Sequence, residues 1–213
     1  MIKFTSSEVR DLIIAFFVIS LCFGIANTGR NMNALIQILP MIMVGVGAGF
    51  ILHELGHKFV SMKYGYWAEF KLWPQGLIFA LITSFFGFVF AAPGAVYTYA
   101  NYMTDEINGK ISIAGPIVNI ILAIVFIVIA AIFYPSAISS KTSLLIVNVC
   151  ALGYSINSFL AVFNLLPIGN LDGSKVLRWN AGIWIGTIAI AGIMTYLSYA
   201  IGVENIIRMI IGF

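Results

Sequence analysis

Long apolar stretches separated by short polar segments dominate the chain. A helix needs about 20 apolar residues to cross the hydrocarbon core of a bilayer. The pattern therefore predicts membrane-spanning helices, and their ranges are 12–27, 34–62, 113–133, 143–166 and 181–201.

Residues 76–92 form a further apolar segment whose path through the membrane stays open. The segment is short for a span, is bracketed by Pro74 and Pro93, and either crosses fully or dips in and returns. The residues on either side of it, 66–72 and 95–100, alternate in the manner of strands. We therefore predict an all-α polytopic membrane protein. It has about six transmembrane helices and a short membrane-associated β or re-entrant element between the second and third full spans.

Composition supports a membrane protein and excludes several other classes. The 213 residues are 61% hydrophobic and 9% charged, whereas soluble domains are about 45–50% apolar and about 25% charged. We expect one membrane-embedded domain over 1–213, with a first span in 1–33 and a C-terminal span and tail in 181–213. The basic residues are scattered, so a nucleic-acid partner is not expected.

The two histidines of the chain, His53 and His57, carry the first chemical signal. They stand in the sequence His-Glu-Leu-Gly-His, and residues four apart lie on one face of a helix. Two imidazoles in that arrangement can bind one Zn²⁺, while the intervening Glu54 can take a proton from a water molecule. Ionisable residues within an apolar helix are costly to insert and are usually functional.

A catalytic zinc site needs a third protein ligand, and a carboxylate must supply it because no third histidine exists. Asp172 stands out because it follows a helix that Pro167 interrupts, next to Gly169 and Gly173. A broken helix at membrane depth is tolerated where it lines a cavity. On spacing alone, a plain turn that ends a helix explains this segment equally well.

Three motifs together resemble the site-2 protease family of intramembrane zinc metalloproteases. They are His53-Glu-Leu-Gly-His57, the element Ala-Gly-Pro-Ile-Val-Asn119, and the segment from Asn164 to Gly173, which reads Asn-Leu-Leu-Pro-Ile-Gly-Asn-Leu-Asp-Gly. The resemblance covers roughly residues 40–180 and implies that the catalytic core lies at about 40–180. It implies that His53, His57 and Asp172 bind zinc, that Glu54 is the general base, and that Asn164 and Asn119 help to bind substrate.

By this resemblance the chain hydrolyses peptide bonds of transmembrane proteins within or near the bilayer, with Zn²⁺ as cofactor. The histidines and Asp172 can meet only if residues 76–92 return to the side from which they entered. That arrangement also places more basic residues inside, as the positive-inside rule favours. We expect a multi-pass protein of the cell membrane with its active site near the cytoplasmic side. The rival functions are a proton or metal-ion transporter and a catalytically inactive scaffold.

Overall fold

The computed structural model describes residues 3–29, 31–90 and 93–212 and confirms an all-α polytopic membrane protein. Within these residues, five helical segments are long and apolar enough to cross a membrane: Ser6–Thr28, Met32–Lys63, Asp105–Ser136, Lys141–Asn164 and Ala181–Ala200. The chain divides into two compact units, residues 1–102 and 103–213.

Two membrane-spanning segments form most of the first unit. Helix α1 (Ser6–Thr28) begins where the Thr5 hydroxyl accepts a hydrogen bond from the backbone N–H of Glu8. The second segment joins α2 (Met32–Val46) to α3 (Leu52–Lys63) through one π-helical turn at Gly47–Ile51. Such wide turns are rare and occur frequently beside functional sites. Here the turn immediately precedes the helix that contains both histidines.

An antiparallel hairpin follows α3, as the alternating pattern predicts. Strand β1 (Trp67–Leu72) pairs with β2 (Gly94–Tyr99). The inner face of β1 is buried, and the Phe70 ring stands edge-on to the Phe50 ring at a centroid distance of 5.6 Å. A side chain at Gly94 would approach the Lys71 carbonyl oxygen to 2.3 Å, so only glycine fits at the start of β2.

Residues 76–92, whose path the sequence left open, form no spanning helix over their described part, 76–90. The apolar segment between the strands forms α4 (Pro74–Ser84), which has 11 residues. At 1.5 Å per residue α4 is about 16 Å long, roughly half the thickness of a hydrocarbon core. The chain turns after α4, where Gly87 adopts a φ of 86°. Ala91 and Ala92, the last residues of the predicted segment, lie outside the described residues.

The second unit consists of α5 (Asp105–Phe133), α6 (Lys141–Asn164), α7 (Asp172–Trp179), α8 (Ala181–Ala200) and α9 (Val203–Ile211). Helices α5 and α6 pack closely because Gly153 has no side chain. A Cβ atom there would lie 2.7 Å from the Phe126 ring. Ala161 and Leu165 of α6 and its following turn form a buried cluster with Ala191 of α8. This packing holds the end of α6 against α8, directly before the segment that contains Asp172.

The turn between α6 and α7 depends on Gly173. A Cβ atom there would lie 2.0 Å from the carbonyl oxygen of Leu165, which the indole N–H of Trp184 holds through a 2.8 Å hydrogen bond. We expect Gly173→Ala to lower the free energy of unfolding in detergent by about 1–3 kcal/mol, the usual cost of overpacking. Gly186→Ala is the matched control, because no atom lies within 4 Å of that Cβ position. Equal stability of both variants would contradict the close approach.

Candidate metal centre

Helix α3 brings His53 and His57 together as their spacing predicts. Their Nε2 atoms are 3.0 Å apart, and the ring centroids are 4.7 Å apart with the planes nearly perpendicular. Two nitrogen ligands about 2.0–2.1 Å from one tetrahedral Zn²⁺ would be separated by about 3.4 Å. The two imidazoles therefore converge on a single point at close to the separation that a zinc ion needs.

The part of α3 that carries the two histidines is buried. His53, Glu54 and His57 expose 5%, 7% and 7% of their surfaces. Burial removes bulk water from the site, which strengthens electrostatic interactions between a metal ion and its ligands. Glu54 follows His53 directly, so its carboxylate belongs to the same helical turn as one of the two imidazoles. Two imidazoles and one carboxylate are therefore buried within little more than one turn of α3.

Asp172 is the first residue of α7 and its side chain is buried. The chain leaves α6 at Asn164, passes Pro167 and a left-handed Gly169 with φ of 55°, and re-enters a helix at Asp172. The Lys175 ammonium is 3.7 Å from the Asp172 carboxylate, which is a loose contact between neighbours on one helix. A carboxylate in the first turn of a helix interacts favourably with the helix dipole, and Asp172 occupies that position in α7.

The two predicted substrate-binding asparagines occupy different surroundings in the second unit. Asn119 is fully buried, and its side-chain amide donates a 3.0 Å hydrogen bond to the Asn157 side chain. Asn157 in turn donates to the Gly153 carbonyl at 2.8 Å. Asn164 is half-buried and donates to the carbonyl of Leu160 at 2.9 Å. The substrate-binding roles of Asn119 and Asn164 stay predictions.

Sequence reasoning missed a buried ion pair beside the histidines. Lys58 follows His57 directly, is fully buried, and lies 2.6 Å from the carboxylate of Glu8 in α1. The available signal was one basic residue and one acidic residue in otherwise apolar segments, where an unpaired charge is costly. The pairing itself has no local signature, because 50 residues separate the partners.

Comparison with curated proteins gives related sequences. The chain is 43% identical over 199 residues to "Putative zinc metalloprotease MJ0611" of Methanocaldococcus jannaschii. The aligned region covers 92% of this chain and 97% of that protein. It is 27% identical over 156 residues to "Putative zinc metalloprotease YwhC" of Bacillus subtilis, covering 67% and 70%. It is also 27% identical over 172 residues to "Zinc metalloprotease MJ0392" of M. jannaschii, covering 80% of this chain and 41% of that protein. No family model matches the chain. No solved structure matches it.

Proposed function

This chain belongs to the zinc metalloprotease family represented by these relatives, and we propose that it is an intramembrane endopeptidase of the site-2 protease type. One observation carries the proposal. The two converging imidazoles, and Glu54 between them in the sequence, lie in a segment that is long and apolar enough to cross a membrane. Metalloproteases that act on soluble peptides have no need to place these residues in such a helix.

Zn²⁺ is the cofactor, and we propose His53, His57 and Asp172 as its ligands. Two imidazoles and one carboxylate are a ligand set that could hold a catalytic metal ion. Among the Asp and Glu side chains that the structure describes, the buried ones are Glu8, Glu54 and Asp172. Glu8 is engaged by Lys58, and Glu54 is suited to proton transfer. Asp172 is therefore the carboxylate that best completes the site.

The protein's contribution to peptide hydrolysis centres on Glu54. When bound, zinc supplies a Lewis acid that lowers the pKa of a coordinated water and polarises the scissile carbonyl. Glu54 accepts the proton from the attacking water and passes it to the leaving amine, as a positioned carboxylate does in general acid–base catalysis. The two histidines would fix the metal ion at one point beside α3. Burial of the site limits the access of bulk solvent to it.

Transmembrane proteins are the proposed substrates, and the hairpin offers a place for them to bind. A helical substrate must unwind before its carbonyls are accessible, and an unwound segment can add to a sheet edge as a further strand. The outer edge of β1 is occupied, because Phe70 and Leu72 donate their backbone N–H groups to carboxylates of α1. On β2, the backbone N–H and C=O groups of Val96 and Thr98 point away from β1. Among the described residues, no backbone hydrogen bond is found on that side of β2. We propose β2 as the receiving edge.

The proposed location is the cell membrane, with the metal centre near its cytoplasmic side. Lys63 and Lys71 follow the end of the second span, where the metal-binding helix leaves the apolar region. Basic residues beside a span favour the cytoplasmic side. Water for hydrolysis would then reach the site from the cytoplasm, while the substrate would enter from the bilayer.

Purified protein in liposomes should cut a single-span membrane protein inside or beside its apolar segment and should leave a soluble unfolded protein, such as casein, intact. Mass spectrometry of the products locates the cut. A preference for casein would contradict the proposal of intramembrane cleavage but would still be consistent with metalloprotease activity. Zinc binding without cleavage of any of several membrane substrates would favour the transporter or the inactive scaffold instead.

A further inference from the structure

Lys58 occupies a closed polar cage in the first unit. Its ammonium group donates to both carboxylate oxygens of Glu8, at 2.8 and 2.6 Å, and to the carbonyl of Ala68 at 2.9 Å. An ammonium group has three protons, so every donor has an oxygen acceptor. The rings of Phe4 and Trp67 complete the cage, with centroids 4.5 and 5.6 Å from the ammonium nitrogen. The charge has no contact with solvent.

Glu8 does more than neutralise Lys58. The Glu8 oxygen that is 2.8 Å from Lys58 also accepts the backbone N–H of Phe70 at 3.1 Å. One helical turn further along α1, the Asp11 carboxylate accepts the N–H of Leu72 at 3.2 Å. A single carboxylate group therefore joins three elements, namely α1, the metal-binding helix α3 and strand β1.

Stability alone does not account for this arrangement. Replacing a buried ion pair by apolar groups of similar volume is often neutral or stabilising, because desolvation of two charges offsets their attraction. The position of the pair provides a functional reason. Lys58 directly follows His57, and it lies one helical turn beyond Glu54 on the same face of α3. A contact that fixes Lys58 therefore also fixes the turn of α3 that contains Glu54 and His57. It sets both the rotation of that turn about the helix axis and its position along the axis.

We propose that Glu8 is a positioning residue for peptide cleavage, because its carboxylate holds Lys58 and the backbone of Phe70 in one fixed arrangement. The inference rests on the proposed protease function. Through Glu8, helix α3 with its two histidines keeps a fixed position relative to the hairpin that is proposed to receive the substrate. The first span, which lies outside the core of residues 40–180 expected from the sequence, then belongs to the catalytic apparatus.

Two double variants separate positioning from simple charge balance. In Glu8→Lys/Lys58→Glu the ion pair is restored in reverse, but the new residue 8 cannot accept the Phe70 N–H and the new residue 58 cannot donate to the Ala68 carbonyl. In Glu8→Gln/Lys58→Met both charges are removed. We expect both variants to fold and to keep parental zinc content. We expect kcat to fall about 10- to 100-fold with little change in KM, since misplacement by about 1 Å costs on this order.

The matched control reverses an exposed ion pair on α9, Glu204→Lys/Arg208→Glu, whose side chains are 2.8 Å apart. It should cleave at the parental kcat. Parental kcat in the reversed Glu8–Lys58 variant would overturn the proposal, because charge balance would then be sufficient.

Hydrogen exchange gives a readout that does not depend on cleavage. In the reversed Glu8–Lys58 variant, amides of β1 and α3 should exchange faster than in the parent, while those of α5 should not change. Unchanged exchange in β1 and α3 overturns the proposal whether or not the parent cuts a substrate. An inactive parent together with faster exchange refutes the protease function and still supports Glu8 as the residue that holds α3 to β1.

Discussion

Glu54→Gln should abolish cleavage while leaving zinc in place. Glutamine has nearly the same shape as glutamate but cannot take a proton from water, and the substitution leaves both imidazoles untouched. Loss of general acid–base catalysis costs about 10²- to 10⁴-fold in rate. Initial rates on a single-span substrate in liposomes, with zinc per chain measured on the same samples, provide the test. We expect about one zinc per chain in both proteins, as a single catalytic site requires.

The matched control is Glu106→Gln, which removes an exposed carboxylate from the first turn of α5. Its rate should equal that of the parent. The two measurements separate the possible roles of Glu54. Loss of zinc in Glu54→Gln would make Glu54 a metal ligand, and cleavage at the parental rate would exclude it as the base.

The histidine pair could be predicted because its geometry is local. A spacing of four residues within one helix fixes the separation of His53 and His57, whatever the rest of the fold does. The five membrane-spanning segments follow from hydrophobic length in the same way, and the strands of the hairpin follow from alternation over 66–72 and 95–100. Each of these features depends on residues close together in the chain.

Other features could not be read from the sequence because tertiary contacts decide them. Residues 76–92 are apolar enough for a span, yet the helix stops at Ser84 and the chain turns at Gly87. The partner of Lys58 depends on packing of α1 against α3 and β1, and no periodicity identifies Glu8 among the acidic residues.

Asn119 illustrates the intermediate case. Its motif marked it as important, but the hydrogen-bond partner Asn157 is 38 residues away and carries no motif. In an apolar bundle a side-chain amide needs a polar partner, which predicts that a partner exists without naming it. Motifs therefore locate candidate residues, whereas the structure identifies the contacts that hold them.

Asp172→Ala should remove zinc as well as activity. If Asp172 is the third ligand, its loss leaves two imidazoles, fewer than the three protein ligands of catalytic zinc sites. The zinc affinity should fall by more than the roughly 10- to 100-fold that loss of an outer hydrogen-bond partner costs. Titration against a competing chelator measures this affinity directly, and cleavage should disappear in parallel.

Asp105→Ala is the control that separates a ligand from a helix-terminating turn. Asp105 and Asp172 are each the first residue of a helix, α5 and α7, so both carboxylates interact favourably with a helix dipole. They differ in burial, because Asp105 is exposed and Asp172 is buried. A ligand role requires that only Asp172→Ala loses zinc. If both variants keep parental zinc affinity, Asp172 serves only to begin α7, and another group must complete the site around His53 and His57.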